Sequence, residues 1–585
     1  DVPILQGLCL TSSREQWAGS DQGLTPLDAA TQVAIPEFDG RLITVPFSFK
    51  EVGPDGLTSY VTDPERTARV AGIAVKHATL RHVPAQDRRV VIMLSAYPTK
   101  HARIGNAVGL DSPASVVRLL AAMAEAGYDI GGGDELPGVA NGDGDALIHA
   151  IIAAGGQDEN WLTEEQVAGN PVRISAADYR AWFATQDPRL RETVTRHWGA
   201  PPGDLFVDKT QDPEGEIVLA ALRAGNVVVM VQPPRGFGSN PVAIYHDPDL
   251  PPSHHYLAAY HWLRDQFAAH AVVHVGKHGN LEWLPGKTSG LSAGCAADAA
   301  IGDIPLVYPF LVNDPGEGTQ AKRRAHATLI GHLVPPMARA ESYGDIARLE
   351  QLMDEHAQIA ALDPAKLPAI RAQIWTLIQA AKLDHDLGLD DRPHDAEFDD
   401  FLLHVDGWLC EIKDAQIRGG LHVLGAAPTC EKRVDLVLAI LRARQMWGGQ
   451  AQALPGLREA LGHVERDGDR AGTDAIEARA RNLIEAMENA GWDPAAVSKV
   501  VNKTLGRAPD KVTDVLTFAA TEVVPRLAAT TDEIDRTLHA LDGGFVPAGP
   551  SGSPLRGLVN VLPTGRNFYS VDPRAVPSRL AWETG

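Results

Sequence analysis

Two histidines and a glutamate recur at four-residue intervals in the run HVGKHGNLEWLPGK, residues 274–287: His274, His278 and Glu282. Imidazole and carboxylate are borderline donors suited to a divalent ion such as Co²⁺ or Mg²⁺, and either also accepts a proton. On a helix this spacing would stack all three side chains on one face. Gly276, Gly279, Pro285 and Gly286 oppose a continuous helix. The expected arrangement is therefore a strand ending at His274 and a glycine-bearing turn that presents His278 and Glu282. A buried histidine with a capping glutamate accounts for the same residues, and at this point both readings stand. The adjoining GKT, residues 286–288, is not a phosphate cradle, because a P-loop needs glycine five residues before Gly286 and position 281 is Leu. Any ATP consumed would be hydrolysed by another protein.

A second group lies in VYPFLVNDPGEGTQAKRRAHATLIGHL, residues 307–333. NDPGEG breaks the chain, and TQAKRRAHATLIGHL is expected to begin a helix. Glu317 and Thr319 fall at its N-terminus, where the backbone favours a carboxylate. Lys322, Arg323 and Arg324 suit either a solvated face or pairing with acidic groups of a substrate, since arginine grips carboxylates with two parallel bonds. Nearer the C-terminus, RNFYSVD (566–572) sits in a stretch dense in Gly, Pro and Ser, yet gathers Arg, Asn, Phe and Tyr, as an ordered binding loop does.

These residues need a scaffold, and the pattern supplies one. The first half alternates short β-branched runs with amphipathic stretches. Strands are expected at Val2–Leu10, Leu42–Phe47, Arg89–Ala96, Asn226–Gln232 and Ala271–Val275. Helices are expected at Pro113–Ala126, Glu214–Ala224 and Ser253–Ala269. Such alternation implies an α/β fold with parallel, Rossmann-like sheets, whose ligands bind beyond the carboxyl ends of the strands. Both SAYPTKHARIGNAVGLDSP (95–113) and the 276–287 run follow a strand. From about residue 320 to 540 the spacing turns helical, as in Tyr343–Leu362, Ala365–Leu387, Val434–Trp447 and Ala475–Ala490. The reading is multidomain: 1–130 and 131–320 as α/β domains, 321–542 mainly helical, and 543–585 a Gly/Pro-rich binding loop.

Composition narrows the function classes. A formal charge of −22 argues against non-specific binding to nucleic acid or anionic membranes, which requires clustered cations. The four cysteines, Cys9, Cys295, Cys410 and Cys430, form no C-x-x-C pair, so no zinc knuckle or iron–sulfur site is indicated. No apolar stretch reaches the ~18 residues of a membrane span, and a reducing, cytoplasmic setting is expected. The chain opens on Asp1 inside an apolar run and stops at Gly585 just after an apparent helix start, so it is expected to be part of a longer protein.

HVGKHGNLEWLPGK followed by VYPFLVNDPGEGTQAKRR closely resembles the large subunits of the ATP-dependent chelatases of tetrapyrrole biosynthesis. That family has a cobalt branch (CobN type, cobalamin synthesis) and a magnesium branch (H-subunit type, chlorophyll synthesis). LEWLPGK with Lys287, where the magnesium branch tends to carry Ser, resembles the cobalt branch, as does GEGTQAKRR where the other tends to carry SEATIAKRR. EIKDAQIRGGLHVLG (411–425), FVPAGPSGSP (545–554) and LPTGRNFYSVDPRAVP (562–577) agree. Lys277 and Asn280 depart from the Thr common in HFGTHGTLEW. The resemblance covers essentially the whole chain and implies insertion of Co²⁺ into hydrogenobyrinic acid a,c-diamide. It further implies ATP and Mg²⁺ handled by partner subunits, an AAA+ ATPase and an integrin-like protein of the CobS and CobT type. Glu282 and Glu317 match the family's two acidic motif positions. With His278 they are the expected catalytic residues, and with His274 and His278 the expected metal donors. Lys287, Lys322, Arg323, Arg566 and Tyr569 are the expected substrate contacts. Asp414, Gln416 and Arg418 match a further motif that a helix-packing polar network would explain as well. The alternatives are a magnesium chelatase large subunit, a free-standing metal hydrolase, for which the H-E-x-x-H form is lacking, and a non-catalytic tetrapyrrole-binding protein.

Overall fold

The computed structural model describes residues 1–96, 107–132, 135–154, 172–210, 212–236, 247–335, 366–380, 420–445, 453–463 and 470–571, with isolated positions between 349 and 405. Its strands are β1 (Leu5–Leu10), β2 (Leu42–Val52), β3 (Thr58–Thr62), β4 (Val90–Leu94), β5 (Val172–Ser175), β6 (Val207–Asp208), β7 (Glu216–Leu219), β8 (Ala221–Ala224), β9 (Val227–Val231), β10 (Ala271–Val275), β11 (Leu306–Leu311), β12 (Thr328–His332), β13 (Ala548–Pro550) and β14 (Asn567–Tyr569). All five expected strands are present, within a few residues at their ends. The mixed α/β class with parallel sheets is the one the sequence pattern implies.

The central sheet has the order β12-β11-β10-β4-β9-β8. Its first five strands run parallel, and β8 closes the edge antiparallel to β9. Both faces are buried, as near-continuous apolar runs such as VVIML and VVVMV require. Alternation along each strand sorts the side chains: Val91, Met93, Val228, Met230 and Tyr308 face one core, while Val90, Ile92, Val229, Val273 and Val307 face the other. Helix Ser112–Glu125 covers the second face with Val116, Leu119, Leu120 and Met123. Helix His254–His261 covers the first with Tyr256, Leu257 and Tyr260.

Two expected helices are not formed as read. Glu214–Ala224 is not helical; β7 joins the small antiparallel sheet β5-β7-β6 and β8 joins the central one. The Ala- and Leu-rich run favours helix locally, but strand pairing against β5 and β9 overrides a preference of only tenths of a kcal/mol per residue. The helix begun at 315 stops at Arg324, where Ala325 leaves helical geometry and His326 takes φ 41°. The residues that follow form β12, inside the stretch expected to be helical.

By contacts the chain forms two compact units, Asp1–Val334 with His422–Gly585, and Pro335–Leu421. The sheet draws strands from both sides of the expected 130/131 boundary, and residues 422–585 join the first unit. There the expected helical character holds for Cys430–Arg442 and Arg470–Asn489, which share a core with Val497–Leu505 and Asp510–Phe518. The second unit contains helix Leu367–Ala380, whose Ile370, Ile374 and Ile378 pack with Phe398 and Val405. Most of Tyr343–Leu362, together with Asp414, Gln416, Arg418 and Cys410, lies outside the described residues.

Candidate functional site

The chemistry-bearing side chains gather where the parallel strands end. Ser95 follows β4, Gln232 follows β9, His274 is the fourth residue of β10, Asp314 and Glu317 follow β11, and His332 ends β12. His274 is buried in the sheet, with Nε2 and Ser95 Oγ 2.8 Å apart and its ring 4.6 Å from that of Tyr308. Burial, then the neighbouring His278, lower its pKa to about 3, so it is a neutral imidazole. The loop that follows must pass close to it. A Cβ on Gly276 would meet Ser95 Oγ at 2.6 Å, and one on Gly279 would meet His274 Cε1 at 2.7 Å, so only glycine fits either position.

Beyond the loop, Glu282 sits in the single turn Leu281–Trp283 and is buried. Tyr308 on β11 donates to its Oε1 at 3.2 Å and accepts the Gly279 N–H at 2.6 Å. Burial raises the Glu282 carboxyl to about 8, so it carries its proton at neutral pH. Glu317 lies in the first turn of helix Pro315–Arg324, whose N-cap is Asp314. Lys277 bridges these two acids, with Nζ 2.6 Å from Asp314 Oδ2 and 3.1 Å from Glu317 Oε2. Burial alone would raise the Asp314 carboxyl, but the Lys277 ammonium overrides it and the net shift is downward. His278 points Nδ1 at the Gly279 carbonyl, 2.7 Å away, leaving Nε2 3.8 Å from Glu317 Oε2.

The expected donors are thus brought to one region but not into one cage. His278 and Glu317 form a pair, Glu282 is held apart by Tyr308, and His274 by Ser95. Among the described residues no group of three or more His, Cys, Asp or Glu side chains is arranged to hold a metal ion. Asp314 and Glu317 are instead paired with Lys277, the position at which the sequence departs from the commoner Thr.

Each expected substrate contact already has a partner within the chain. Lys287 is buried, and its Nζ donates to the carbonyls of Trp17, Ala18 and Ser20 at 2.7, 3.2 and 2.6 Å, closing the end of helix Arg14–Ala18. Lys322 is fully buried and donates to the Phe568 carbonyl at 3.0 Å, and burial lowers it to about 8. Arg323 grips buried Glu37 through two bonds of 2.9 Å. Arg324 donates to the carbonyls of Glu282, Leu284 and Lys287. Arg566 donates to the carbonyls of Pro563 and Asn560 at 3.0 and 2.7 Å. Tyr569 stands edge-on to Phe38, ring centroids 5.2 Å apart. These cations and this ring hold the walls in place. A sequence shows that a residue is basic, but not that an unpaired carbonyl elsewhere in the chain needs it.

Tyr308, Asp314, Ser95 and Gln232 were not singled out by residue type. The one available signal was position, since each stands at or beyond a strand end. His332, His422 and Glu533 were also missed; Glu533 is completely buried and accepts four hydrogen bonds.

The family model described as CobN/Magnesium Chelatase matches residues 1–585. The aerobic cobaltochelatase subunit CobN of Pseudomonas aeruginosa is 41% identical over 613 residues, covering 100% of this chain and 47% of that protein. The magnesium-chelatase H subunit of Chlorobaculum parvum is 29% identical over 608 residues, covering 100% of this chain and 45% of that protein. Among solved structures, the catalytic subunit of cobaltochelatase from Mycobacterium tuberculosis superposes with a TM-score of 0.78 at 67% identity, over 100% of this chain and 48% of that one. The chain therefore spans about half the length of the curated relatives it matches.

Proposed function

The chain belongs to the CobN/Magnesium Chelatase family, and from that premise we propose that it is the part of a cobaltochelatase large subunit that brings Co²⁺ and a corrin-type macrocycle together. The observation that carries this reading is the match along the whole chain to cobaltochelatase subunits, at 41% and 67% identity against 29% for the magnesium-chelatase relative. The substrate would be hydrogenobyrinic acid a,c-diamide, in cobalamin synthesis, and Co²⁺ the second substrate. ATP with Mg²⁺ would be consumed by an AAA+ ATPase acting with an integrin-like subunit, which fits the absence of a P-loop here. Among the described residues no helix is long and apolar enough to cross a membrane.

Insertion requires each ring N–H to lose its proton while the nitrogen keeps the electron pair and donates it to the metal. His278 Nε2 and Glu317 would hand on the ion, one through an imidazole nitrogen and the other through a carboxylate oxygen. Glu282, protonated at rest, would release its proton to water shed by the approaching cation and then stand as a carboxylate able to take one from the ring. His274 and Tyr308 fix the loop on which His278 and Glu282 ride. The test is cobalt insertion followed by macrocycle absorbance, using the complete large subunit with its ATPase partners. Glu282→Gln and Glu317→Gln are each expected to slow insertion by roughly 10²-fold or more. Insertion at the wild-type rate in both variants would overturn the site assignment. Faster insertion of Mg²⁺ into protoporphyrin IX than of Co²⁺ into the corrin would move the chain to the magnesium branch.

A further inference from the structure

Most cations beside the strand ends are already committed. Lys277 pairs with Asp314 and Glu317, and Arg323 with Glu37. Lys287 donates to three carbonyls, Arg324 to three more, and Lys322 is fully buried on the Phe568 carbonyl. Arg566 is different. A guanidinium carries five N–H groups and is always charged. Arg566 uses Nε and Nη2 on the Pro563 and Asn560 carbonyls, while Nη1 has no partner and is not buried. Among the described residues no carboxylate pairs with it, although the side chain is half-buried.

The side chain lies against Gly549, where a Cβ would meet Arg566 Nε at 2.7 Å. Its backbone is tied to β12: the Arg566 carbonyl accepts from Gly331 N at 2.9 Å, and Gly565 N donates to the Gly331 carbonyl at 2.6 Å. Gly331 immediately precedes His332, the last residue of that strand. From the same wall Gly552 N donates to the Val312 carbonyl at 2.9 Å, just before Asp314. Arg566 is thus fixed beside the strand ends from which Asp314 and Glu317 follow. Arg526, paired with Glu522 at 3.1 Å, adds to the positive field there. Burial, then Arg526, hold Arg566 below the usual arginine range, the mark of a charge without a counter-ion. A partly buried ion of this kind is destabilising until an opposite charge meets it.

We propose that Arg566, seated on Gly549, is the anchor for an ionised carboxylate side arm of the macrocycle. Nη1 would donate to the carboxylate while Nε and Nη2 keep the side chain on its carbonyls, so the group is set before the ligand arrives. No bond to the ring is made or broken. An esterified or amidated arm brings an acceptor oxygen but no charge, so Arg566 sorts macrocycles by their free acid groups. The anchor presupposes the cobalt-insertion reading and gives its substrate a charge-reading contact.

The test uses the complete large subunit without its ATPase partners. Two ligands are titrated by macrocycle absorbance: hydrogenobyrinic acid a,c-diamide, and the same compound with its carboxylates methyl-esterified. Arg566→Met is expected to weaken the free acid by roughly tenfold or more and the ester by less than about twofold. Arg566→Lys, which keeps the charge, and Gly549→Ala, which displaces it, should each weaken the acid alone by about threefold or more. These two milder variants carry the same comparison if Arg566→Met does not fold. Equal losses for acid and ester, or no loss for the acid, would overturn the proposal. So would an unchanged acid affinity with loss of ATPase-partner binding, which would give Arg566 to a partner's carboxylate. If the wild type binds neither ligand, the proposed function falls with the anchor. If it binds both and inserts cobalt while the variants do not separate them, only the anchor falls.

Discussion

Glu282 shows how one buried side chain sets a pH dependence. Its ordinary pKa is 4.5 and its folded value about 8. Between those limits the unfolded chain has lost the proton while the folded chain keeps it, so stability falls as pH rises from about 4.5 to 8 and levels off above. The slope is about 1.4 kcal/mol per pH unit for one such group. Glu282→Gln should flatten this part of the stability curve, measured by denaturant unfolding at pH 5, 6, 7 and 8; an unchanged slope would show that Glu282 ionises normally. Lys277 has the opposite character, a cation that holds the Asp314 carboxyl below its ordinary range and pairs with Glu317. Lys277→Thr, the residue common in the family, should raise the Asp314 titration point by NMR. It should also lower the cobalt concentration giving half-maximal insertion by about fivefold to tenfold, because the ion no longer competes with an ammonium group. A higher cobalt requirement would mean that Lys277 positions these carboxylates instead of blocking them.

The helix Pro315–Arg324 carries Glu317 at one end and three consecutive cations at the other, and each cation reaches a different neighbour. Lys322 holds β14 through Phe568, Arg323 holds Glu37, and Arg324 holds the Glu282–Lys287 loop. Adjacent helical residues point about 100° apart, so the basic run acts as a three-way clamp. Arg323→Met strands the buried Glu37 carboxylate and should cost about 3 kcal/mol in unfolding free energy, with half or more restored in Arg323→Met/Glu37→Gln. The half-saturating macrocycle concentration should not change; a large increase in the single variant would return Arg323 to substrate binding. This clamp marks the limit of what the sequence makes legible. The strand that carries His274 and the strand that ends beside Ser95 were readable because continuous Val, Ile and Met runs have few other uses. The turn after His274 was readable from its glycines. The partners of Lys287, Lys322 and Arg323 lie 270, 246 and 286 residues away, and local pattern carries no trace of them. Glu214–Ala224 and the stretch after Arg324 failed for a related reason, since strand partners supplied from a distance decided their conformation.

At the scale of the whole molecule, the chain leaves its first unit at Val334 and rejoins it at His422, with Pro335–Leu421 forming a unit of its own. Both points of departure hold the same carboxylate: Leu333 N donates to Glu533 Oε1, and His422 Nε2 donates to Glu533 Oε2. The ends of the excursion are therefore only a few residues' span apart within the first unit. That is the geometry of an insertion between two neighbouring points of the chain, which the host fold tolerates because no strand or helix of its core is interrupted. Among the described residues, the sheet and the cores on both of its faces include none of residues 335–421. Replacing those residues with a Gly/Ser linker of about six residues, which can reach about 20 Å, should leave a folded first unit. Its main calorimetric transition should move by no more than a few degrees. The linker must let His422 return to Glu533, so the NMR signals of the His422 ring are a sensitive second readout. Unchanged signals are expected if the excursion is an insertion. Loss of both the transition and these signals would mean that the second unit supplies part of the fold on which the strand ends depend.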